Sequence, residues 1–227
     1  FRSAWFRSAV QTVTKKVKAL VSIREEVILV ADDLAPRRVP FAKAHELGHV
    51  VIPWHNEILY VCDEHDLSAA TQAQMEFEAN AFASELLYPR ELLLPYYGAF
   101  PCSLDTVLKV QERASGSIEA AAYAYVRHHP GVCAILVLEE MKHEGPLFLD
   151  AQAPRLRLRR KHLSRGAVRT DLASIDKGQT FSAGHVLYSA SLSVGSTVDT
   201  ELVLNGRRYQ VSVLNNSYNV FCLMVGD

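Results

Sequence analysis

The chain has 227 residues, of which 49% are hydrophobic and 22% are charged, and its formal net charge is −1 at pH 7. This composition is ordinary for a globular protein, and it argues against a chain held to nucleic acid or to a membrane surface by its overall charge. No apolar run approaches the length of a membrane span. The four cysteines are scattered and form no Cys-x-x-Cys pair, which argues against a zinc ribbon or a disulfide scaffold and indicates a reducing, cytoplasmic location: Cys62, Cys102, Cys133 and Cys222.

The first two predicted elements are a helix and a strand. Alanine, valine and leucine recur through residues 1–22 at a spacing that suggests one apolar helical stripe. The β-branched run from Glu26 to Ala31 is typical of a strand. Such a strand could pair with an extended peptide beside a cleft, or it could simply be buried, and the sequence favours neither.

The segment from Pro40 to Pro53 predicts a helix that contains His45-Glu46-Leu47-Gly48-His49. Residues four apart lie on one helical face, so His45 and His49 can offer two ring nitrogens to one metal ion. Glu46, about 100° round the helix, can reach a water at that ion and act as the catalytic base. Gly48 costs about 1 kcal/mol against alanine in a helix, which suggests close approach of another backbone.

A polar connector, residues 54–71, leads to a second predicted helix from Thr71 to Tyr88. Glu76 and Asn80 lie four apart on an otherwise apolar face, where a carboxylate is costly unless it is paired or bound to a cation. Glu76 is therefore the candidate third metal ligand, and Asn80 can orient a ligating histidine. Three rival ligands remain open: Glu78, His55 and His65.

These two motifs together resemble those of the ImmA/IrrE family of zinc peptidases. The matched stretch runs from about residue 26 to 90 and includes the Arg37–Phe41 approach to the first helix, Ala44–His49, and Glu76-x-x-x-Asn80-x-x-Ala83. The resemblance implies that His45, His49 and Glu76 bind Zn²⁺ and that Glu46 is the catalytic base. It also implies a protein substrate, since members of the family cleave helix-turn-helix transcriptional repressors and so release stress-response or mobile-element genes.

Two further helices are predicted at Leu104–Ala114 and Ile118–His128, separated by a Ser-Gly-Ser break. Helix, short glycine turn and helix is the outline of a helix-turn-helix. The second helix carries Arg127 as its one Lys or Arg residue, which is poor for gripping phosphates. A helical pair packed against the peptidase core is therefore the preferred interpretation.

After Pro130 the pattern changes to strands. They are predicted at Val132–Leu138, Arg155–Arg159, Gly184–Ala190, Thr197–Leu204, Tyr209–Leu214 and Tyr218–Val225, with an Asn205-Gly206 hairpin. The order of segments resembles that of ImmA/IrrE members with a GAF-like sensory domain. We therefore expect an α+β protein with a zincin-like, mainly helical peptidase domain at 1–90, a helix-turn-helix-like segment at 91–130 and a GAF-like domain at 131–227 that takes a small-molecule or other signal ligand.

One basic cluster lies in the last of these segments: Arg155, Arg157, Arg159, Arg160, Lys161, Arg165 and Arg169. Its alternation fits a half-buried strand with a solvated face, which is preferred over a surface for DNA. The predicted function is a zinc-dependent regulatory endopeptidase that cleaves a helix-turn-helix repressor to switch on a DNA-damage or radiation-type stress response. The alternative is a non-catalytic, metal-stabilised regulator that acts through protein or DNA contacts.

Overall fold

The computed structural model describes residues 19–22, 27–55, 68–141 and 155–226. The chain divides into two compact units, Phe1–Pro89 with Ala114–Ser117, and Arg90–Arg113 with Ile118–Asp227. The first unit is mainly helical and the second is built on an antiparallel sheet, which confirms the α+β class. Among the helices in the described ranges, none has the length and apolar character needed to cross a membrane. The predicted division at 1–90, 91–130 and 131–227 stays a prediction.

The described residues of the first unit include a two-stranded antiparallel sheet and the two helices predicted to carry the metal site. Strand β1 (Ala19–Ser22) pairs with β2 (Val27–Val30), and a 3₁₀ turn at Pro36–Arg38 leads into helix α1 (Val39–Val51). The expected helix over residues 1–22 is thus wrong at Ala19–Ser22, because pairing with β2 prevails there over the weak apolar spacing. Residues 1–18 lie outside the described part of the chain.

Helix α2 (Ala69–Leu87) completes this unit and packs against α1. Its N-cap is Ser68, whose side-chain Oγ accepts a hydrogen bond from the backbone N–H of Thr71 at 3.1 Å. Pro40 lies in the first turn of α1, where its missing N–H costs no helical hydrogen bond. Both predicted metal-site helices are therefore present, with ends that differ from the predicted ends by one or two residues.

The second unit begins with three helices, α3 (Arg90–Ala99), α4 (Leu104–Ala114) and α5 (Ile118–His128). The bounds predicted for α4 and α5 are confirmed. The backbone N–H of Leu104 donates to Ser212 Oγ at 3.3 Å, and α5 lies against strands β3 (Val132–Glu140) and β4 (Arg155–Leu163). The two helices therefore pack on the C-terminal sheet. The preferred interpretation of the sequence was that they pack against the peptidase core.

The sheet has six antiparallel strands in the order β5-β4-β3-β8-β7-β6. Strand β5 is Thr180–Ser182, and the remaining strands are β6 (Thr197–Leu204), β7 (Arg207–Asn215) and β8 (Val220–Gly226). Alternate residues of the central strands fill one apolar core, which the short helix α6 (Val186–Ser191) and the two 3₁₀ turns at 167–174 help to close. The opposite face carries the contact of Ser212 with α4.

The Asn205-Gly206 turn formed as predicted, whereas the strand predicted at Gly184–Ala190 did not. Asn205 and Gly206 have φ angles of 48° and 82° and join β6 to β7, as expected for a tight hairpin turn. The strand predicted at Gly184–Ala190 is wrong, because Val186–Ser191 is a helix. The ring of His185 caps it by accepting the N–H of Leu187 at 3.2 Å, and Leu187 and Ser191 are buried at helical spacing.

Candidate metal centre and active site

Helix α1 brings the two histidines of the sequence motif together. The ring nitrogens His45 Nε2 and His49 Nε2 lie 3.2 Å apart, as one helical turn between them allows. His49 is largely buried, with 9% of its surface exposed, while His45 is half-buried. The two rings therefore turn a nitrogen each toward the same point at the margin of the α1–α2 interface.

Helix α2 supplies a carboxylate to that point. Glu76 Oε2 lies 3.4 Å from His45 Nε2, and Glu76 Oε1 lies 3.6 Å from His49 Nε2. The side chain of Glu76 is 61% exposed, so the carboxylate reaches the histidines from the solvent side. The structure thus brings together all three residues predicted to bind the metal.

The spacing of these atoms can be tested against zinc. Ligands at tetrahedral bond lengths of about 2.0–2.2 Å lie about 3.3–3.6 Å from one another, and the three separations observed here are 3.2, 3.4 and 3.6 Å. Three acceptor atoms this close repel one another unless a proton or a cation lies between them. Two imidazoles and one carboxylate are a common ligand set for catalytic zinc, so the residues fit the group.

Asn80 determines which nitrogen of His45 is available. Asn80 Nδ2 donates to the backbone carbonyl of Glu76 at 2.7 Å, so its Oδ1 is the atom that faces His45 Nδ1, at 3.2 Å. When the ring is neutral, an acceptor at Nδ1 holds the proton there and leaves the Nε2 lone pair for a cation, whereas the protonated ring can donate from Nε2 to Glu76. No such acceptor fixes the ring proton of His49, because its buried Nδ1 has no hydrogen-bond partner within the described residues.

The charges of the site shift two pKa values. Burial lowers the pKa of His45, but the hydrogen bond and charge of Glu76, with the charge of Glu46, outweigh burial and raise it. Hydrogen bonds from His45 and His49 hold the pKa of Glu76 far below its usual range, against the effect of burial. Glu76 is therefore an anion at any physiological pH, which suits a metal ligand.

Glu46, the predicted base, lies between the two histidines in the sequence of α1 and is half-buried. Its charge contributes to the raised pKa of His45. Helix geometry places Glu46 about 100° round α1 from His45, to the side of the His45–His49 pair.

Gly48 marks a close approach of the two helices. A Cβ atom at this position would lie 3.2 Å from Ala79 Cα and 3.4 Å from the Ala79 carbonyl oxygen, both in the backbone of α2. This confirms the expectation that another backbone passes close to Gly48. The contact lies one turn from Glu76 along α2, so it sets how far Glu76 must reach.

The rival ligands have other partners or lie outside the described residues. Glu78 accepts hydrogen bonds from Trp54 Nε1 at 2.8 Å and Gln74 Nε2 at 2.6 Å, and its Oε2 lies 3.3 Å from His55 Nε2. The His55 ring is fully buried and its centroid is 5.2 Å from that of His49. His65 lies outside the described residues.

The Trp54–His55–Glu78 group lies next to His49 of the candidate metal centre. The sequence did not indicate that these three residues meet. Burial and the charge of His49 lower the pKa of His55, whose ring packs against that of His49. Glu78 could be recognised in the sequence as an acidic residue of the second helix. Its partner Trp54 follows α1, and no residue spacing within one element links the two.

The basic cluster of strand β4 is largely engaged within the second unit. Arg157 pairs with Glu139, Arg160 pairs with Glu119, and Arg159 donates to Asn219 at 3.2 Å. Lys161 Nζ donates to the carbonyls of Leu172, Ala173 and Ile175 at 3.4, 2.7 and 2.5 Å. These contacts favour a structural role for the strand over a phosphate-binding one.

Comparisons with known proteins agree with the geometry. Residues 7–125 match the family described as Peptidase_M78, the IrrE N-terminal-like domain. Eleven solved chains match the structure, among them a Mycobacterium tuberculosis transcriptional regulator with a TM-score of 0.59 and 16% sequence identity. That match covers 93% of this chain and 63% of the regulator's chain, and at this identity it shows the fold alone. A search of curated proteins finds no match.

Proposed function

The chain belongs to the Peptidase_M78 family of IrrE N-terminal-like domains, and from that premise we propose that it is a zinc-dependent regulatory endopeptidase whose substrate is a helix-turn-helix transcriptional repressor. The observation that carries the proposal is the convergence of His45 Nε2, His49 Nε2 and the Glu76 carboxylate within 3.2–3.6 Å of one another. The family is a peptidase family, so a metal-assisted hydrolysis is the reaction these groups would serve.

His45, His49 and Glu76 would hold the zinc ion, and Asn80 would keep His45 in the ligating tautomer. When bound through three protein ligands, zinc supplies a Lewis acid that lowers the pKa of water toward about 7 and polarises a carbonyl. The anionic state of Glu76 supports this assignment, because the carboxylate needs no deprotonation before it can bind a cation.

Glu46 supplies the acid–base chemistry. Its carboxylate accepts a proton from the attacking water and then delivers that proton to the leaving amine of the cleaved peptide. A purely structural metal site needs no such base, so the presence of Glu46 between the two histidines favours catalysis.

The second unit would act as a GAF-like sensory domain of a cytoplasmic stress regulator. The support is its six-stranded sheet with helices against it, together with the fold shared with a transcriptional regulator. A signal ligand bound there would alter access to the peptidase site, and cleavage of the repressor would switch on a DNA-damage or radiation-type response. The chain spans 63% of the length of that regulator.

The test is a metal analysis joined to a cleavage assay. We expect one zinc per purified chain and cleavage of a small helix-turn-helix repressor encoded beside this gene. Glu46→Gln should keep the zinc and the fold and abolish cleavage, because the amide cannot accept the proton. Full cleavage by Glu46→Gln would remove Glu46 from the mechanism.

The alternative is a non-catalytic, metal-stabilised regulator that acts through protein or DNA contacts. Its support in the sequence was the basic cluster. In the structure Arg157, Arg160 and Lys161 of that cluster contact groups of the same chain, which weakens this support. Stoichiometric zinc with no cleavage under any tested signal would favour this alternative.

A further inference from the structure

A second cluster of reactive side chains lies in the second unit, apart from the groups of the proposed metal centre. Cys102, in the turn before α4, His129, just after α5, and Cys133, near the start of β3, bring two sulfurs and a ring nitrogen within 4.8 Å of one another. Residues 31 positions apart in sequence meet here, so the sequence, in which the cysteines were scattered, carried no sign of the pair. Neither the peptidase chemistry nor the zinc ligands use these residues.

The two thiols have different surroundings. Cys133 is fully buried, whereas Cys102 is only partly buried, and both are free thiols. A hydrogen bond from Cys133, and further ones that include His129, lower the pKa of Cys102 to about 5 despite burial. The hydrogen bond to Cys102 and burial raise the pKa of Cys133 far above its usual range. A partly buried cysteine with a lowered pKa thus lies against a fully buried one, an arrangement that suits a nucleophilic and a resolving cysteine.

His129 is held as a hydrogen-bond donor to this pair. Its Nδ1 accepts the backbone N–H of Gly131 at 3.0 Å, so the proton of the neutral ring lies on Nε2. The rings of Tyr97 and Tyr125 pack on the imidazole, with centroid distances of 5.2 and 5.4 Å. The hydrogen bond and the charge of Cys102 raise the pKa of His129 against the effect of burial.

This arrangement distinguishes a redox pair from a metal site. A metal ion needs an imidazole lone pair, and the Nδ1 lone pair is already engaged by Gly131 while Nε2 carries the proton. A metal-bound His129 would have to break the contact with Gly131. An N–H that donates to a thiolate sulfur needs no such change.

We propose that Cys102 and Cys133 form a redox pair, which a hydroperoxide closes reversibly to a disulfide. The Cys102 thiolate attacks the terminal oxygen of the hydroperoxide, the O–O bond breaks, and Cys102 becomes a sulfenic acid. The leaving oxygen takes a proton from solvent and departs as an alcohol, or as water when the oxidant is hydrogen peroxide. The sulfur of Cys133 then attacks Cys102, the S–S bond forms, and the S–O bond breaks with loss of water, whose second proton comes from Cys133. Two electrons pass from the two thiols to the peroxide, and a dithiol reductant reverses the change.

The disulfide would tie the turn before α4 directly to β3 in the centre of the sheet. It would therefore couple oxidative conditions to the unit that we propose to be sensory. In a reducing compartment such a bond is transient, which is the behaviour expected of a redox sensor and not of a structural disulfide.

The test uses the full reduced chain in a Cys62→Ser background, so that three thiols remain. One equivalent of hydrogen peroxide should remove two of the three thiols that react with an alkylating agent in the unfolded protein, lower the intact mass by two hydrogen atoms and yield a Cys102–Cys133 peptide on mapping. Cys133→Ser should leave a sulfenic acid at Cys102, which dimedone traps. Cys222→Ser is the matched control, because Cys222 is equally buried but lies outside the cluster, and this variant should still form the bond.

A second measurement concerns His129. In the folded protein, Cys102 should react with iodoacetamide at pH 6 at least about tenfold faster than an ordinary thiol does. His129→Asn should shift the pH profile of this reaction upward, while unfolding curves report whether the variant is still folded. Three results would overturn the proposal: no disulfide with peroxide, a disulfide that does not join these two cysteines, or a second metal ion per chain that is lost in Cys102→Ser.

Discussion

The carboxamide of Asn80 contacts the ring of His45, with Asn80 Oδ1 at 3.2 Å from His45 Nδ1 and Asn80 Nδ2 at 2.7 Å from the carbonyl oxygen of Glu76. One side chain thus ties a histidine of α1 to the helical turn that carries the carboxylate of α2. The candidate metal centre therefore draws its residues from two helices, and the amide of Asn80 contacts both of them.

Replacing Asn80 should weaken the metal site without unfolding it. Asn80→Ala removes the acceptor that keeps the proton on His45 Nδ1, so we expect zinc affinity to fall about 10- to 100-fold. Asn80→Asp keeps an oxygen acceptor, so its loss of zinc affinity should be much smaller. Competition with a chromogenic chelator gives the affinities, and equal losses in the two variants would show that the acceptor oxygen is not what matters.

Gly48→Ala tests the contact between the helices. The added Cβ would lie 3.2 Å from Ala79 Cα, and the backbone of α2 would have to shift by a few tenths of an ångström. The gain of about 1 kcal/mol in helix propensity is offset by overpacking of about 1–3 kcal/mol. We expect a net loss of stability together with weaker zinc binding, because Glu76 moves with α2.

The matched control for this variant is Gly98→Ala. Gly98 also lies in a helix, but a Cβ there would have no heavy atom within 4 Å. This change should raise the free energy of unfolding by up to about 1 kcal/mol and leave zinc binding unchanged. Urea unfolding of both variants gives the comparison, and equal stabilisation by the two would contradict the close packing at Gly48.

Tyr88 and Gly116 should show strong coupling in a double-mutant cycle. A Cβ at Gly116 would lie 2.0 Å from the Tyr88 hydroxyl oxygen, so we expect Gly116→Ala to destabilise the protein by about 3 kcal/mol. The buried Tyr88 hydroxyl has no hydrogen-bond partner within the described residues, so Tyr88→Phe alone should be neutral or stabilising by up to about 1 kcal/mol.

In the double variant Tyr88→Phe/Gly116→Ala, the loss of stability should be smaller than in Gly116→Ala alone. Some loss should remain, because the ring carbon Cζ at position 88 still lies 3.0 Å from the new Cβ. The coupling energy should be about 1–3 kcal/mol. Urea denaturation measures it, and strictly additive effects would mean that the loop at Gly116 moves away from the ring at no cost.

Alkaline pH should destabilise the fold through the same tyrosine. Burial, opposed by the nearby charge of Arg37, raises the pKa of Tyr88 from 10.0 to about 12. The unfolded chain therefore releases this proton more readily than the folded one, so stability that is complete below pH 10 is lost as the pH rises toward 12. The loss is up to about 3 kcal/mol from this group.

Comparison with Tyr88→Phe isolates the contribution, because Tyr97 and Tyr125 also have raised pKa values. The variant should lose less stability than the parent between pH 9 and 11 in urea titrations. Tyr218→Phe removes a tyrosine that is 87% exposed and should behave like the parent. Identical pH profiles for the parent and Tyr88→Phe would show that the phenol is not protected in the fold.

The sequence by itself determined the features that depend on neighbouring positions. His45 and His49 meet because a helix places residues four apart on one face, and the Asn205-Gly206 turn forms because those two residues tolerate positive φ. Glu76 and Asn80 were singled out in the same way, as polar residues one turn apart on an apolar helical face. Their roles as ligand and as positioning group stay predictions, although the structure places both beside His45.

Only the tertiary structure decided which distant groups meet. The contact of Gly48 with Ala79 sets the spacing of the two helices, and strand pairing made Ala19–Ser22 extended against its apolar spacing. The nearness of Cys102 to Cys133 arises where a turn before one helix meets the end of a central strand. Such contacts depend on how whole helices and strands pack, and the spacing of residues along one element carries no information about its partner.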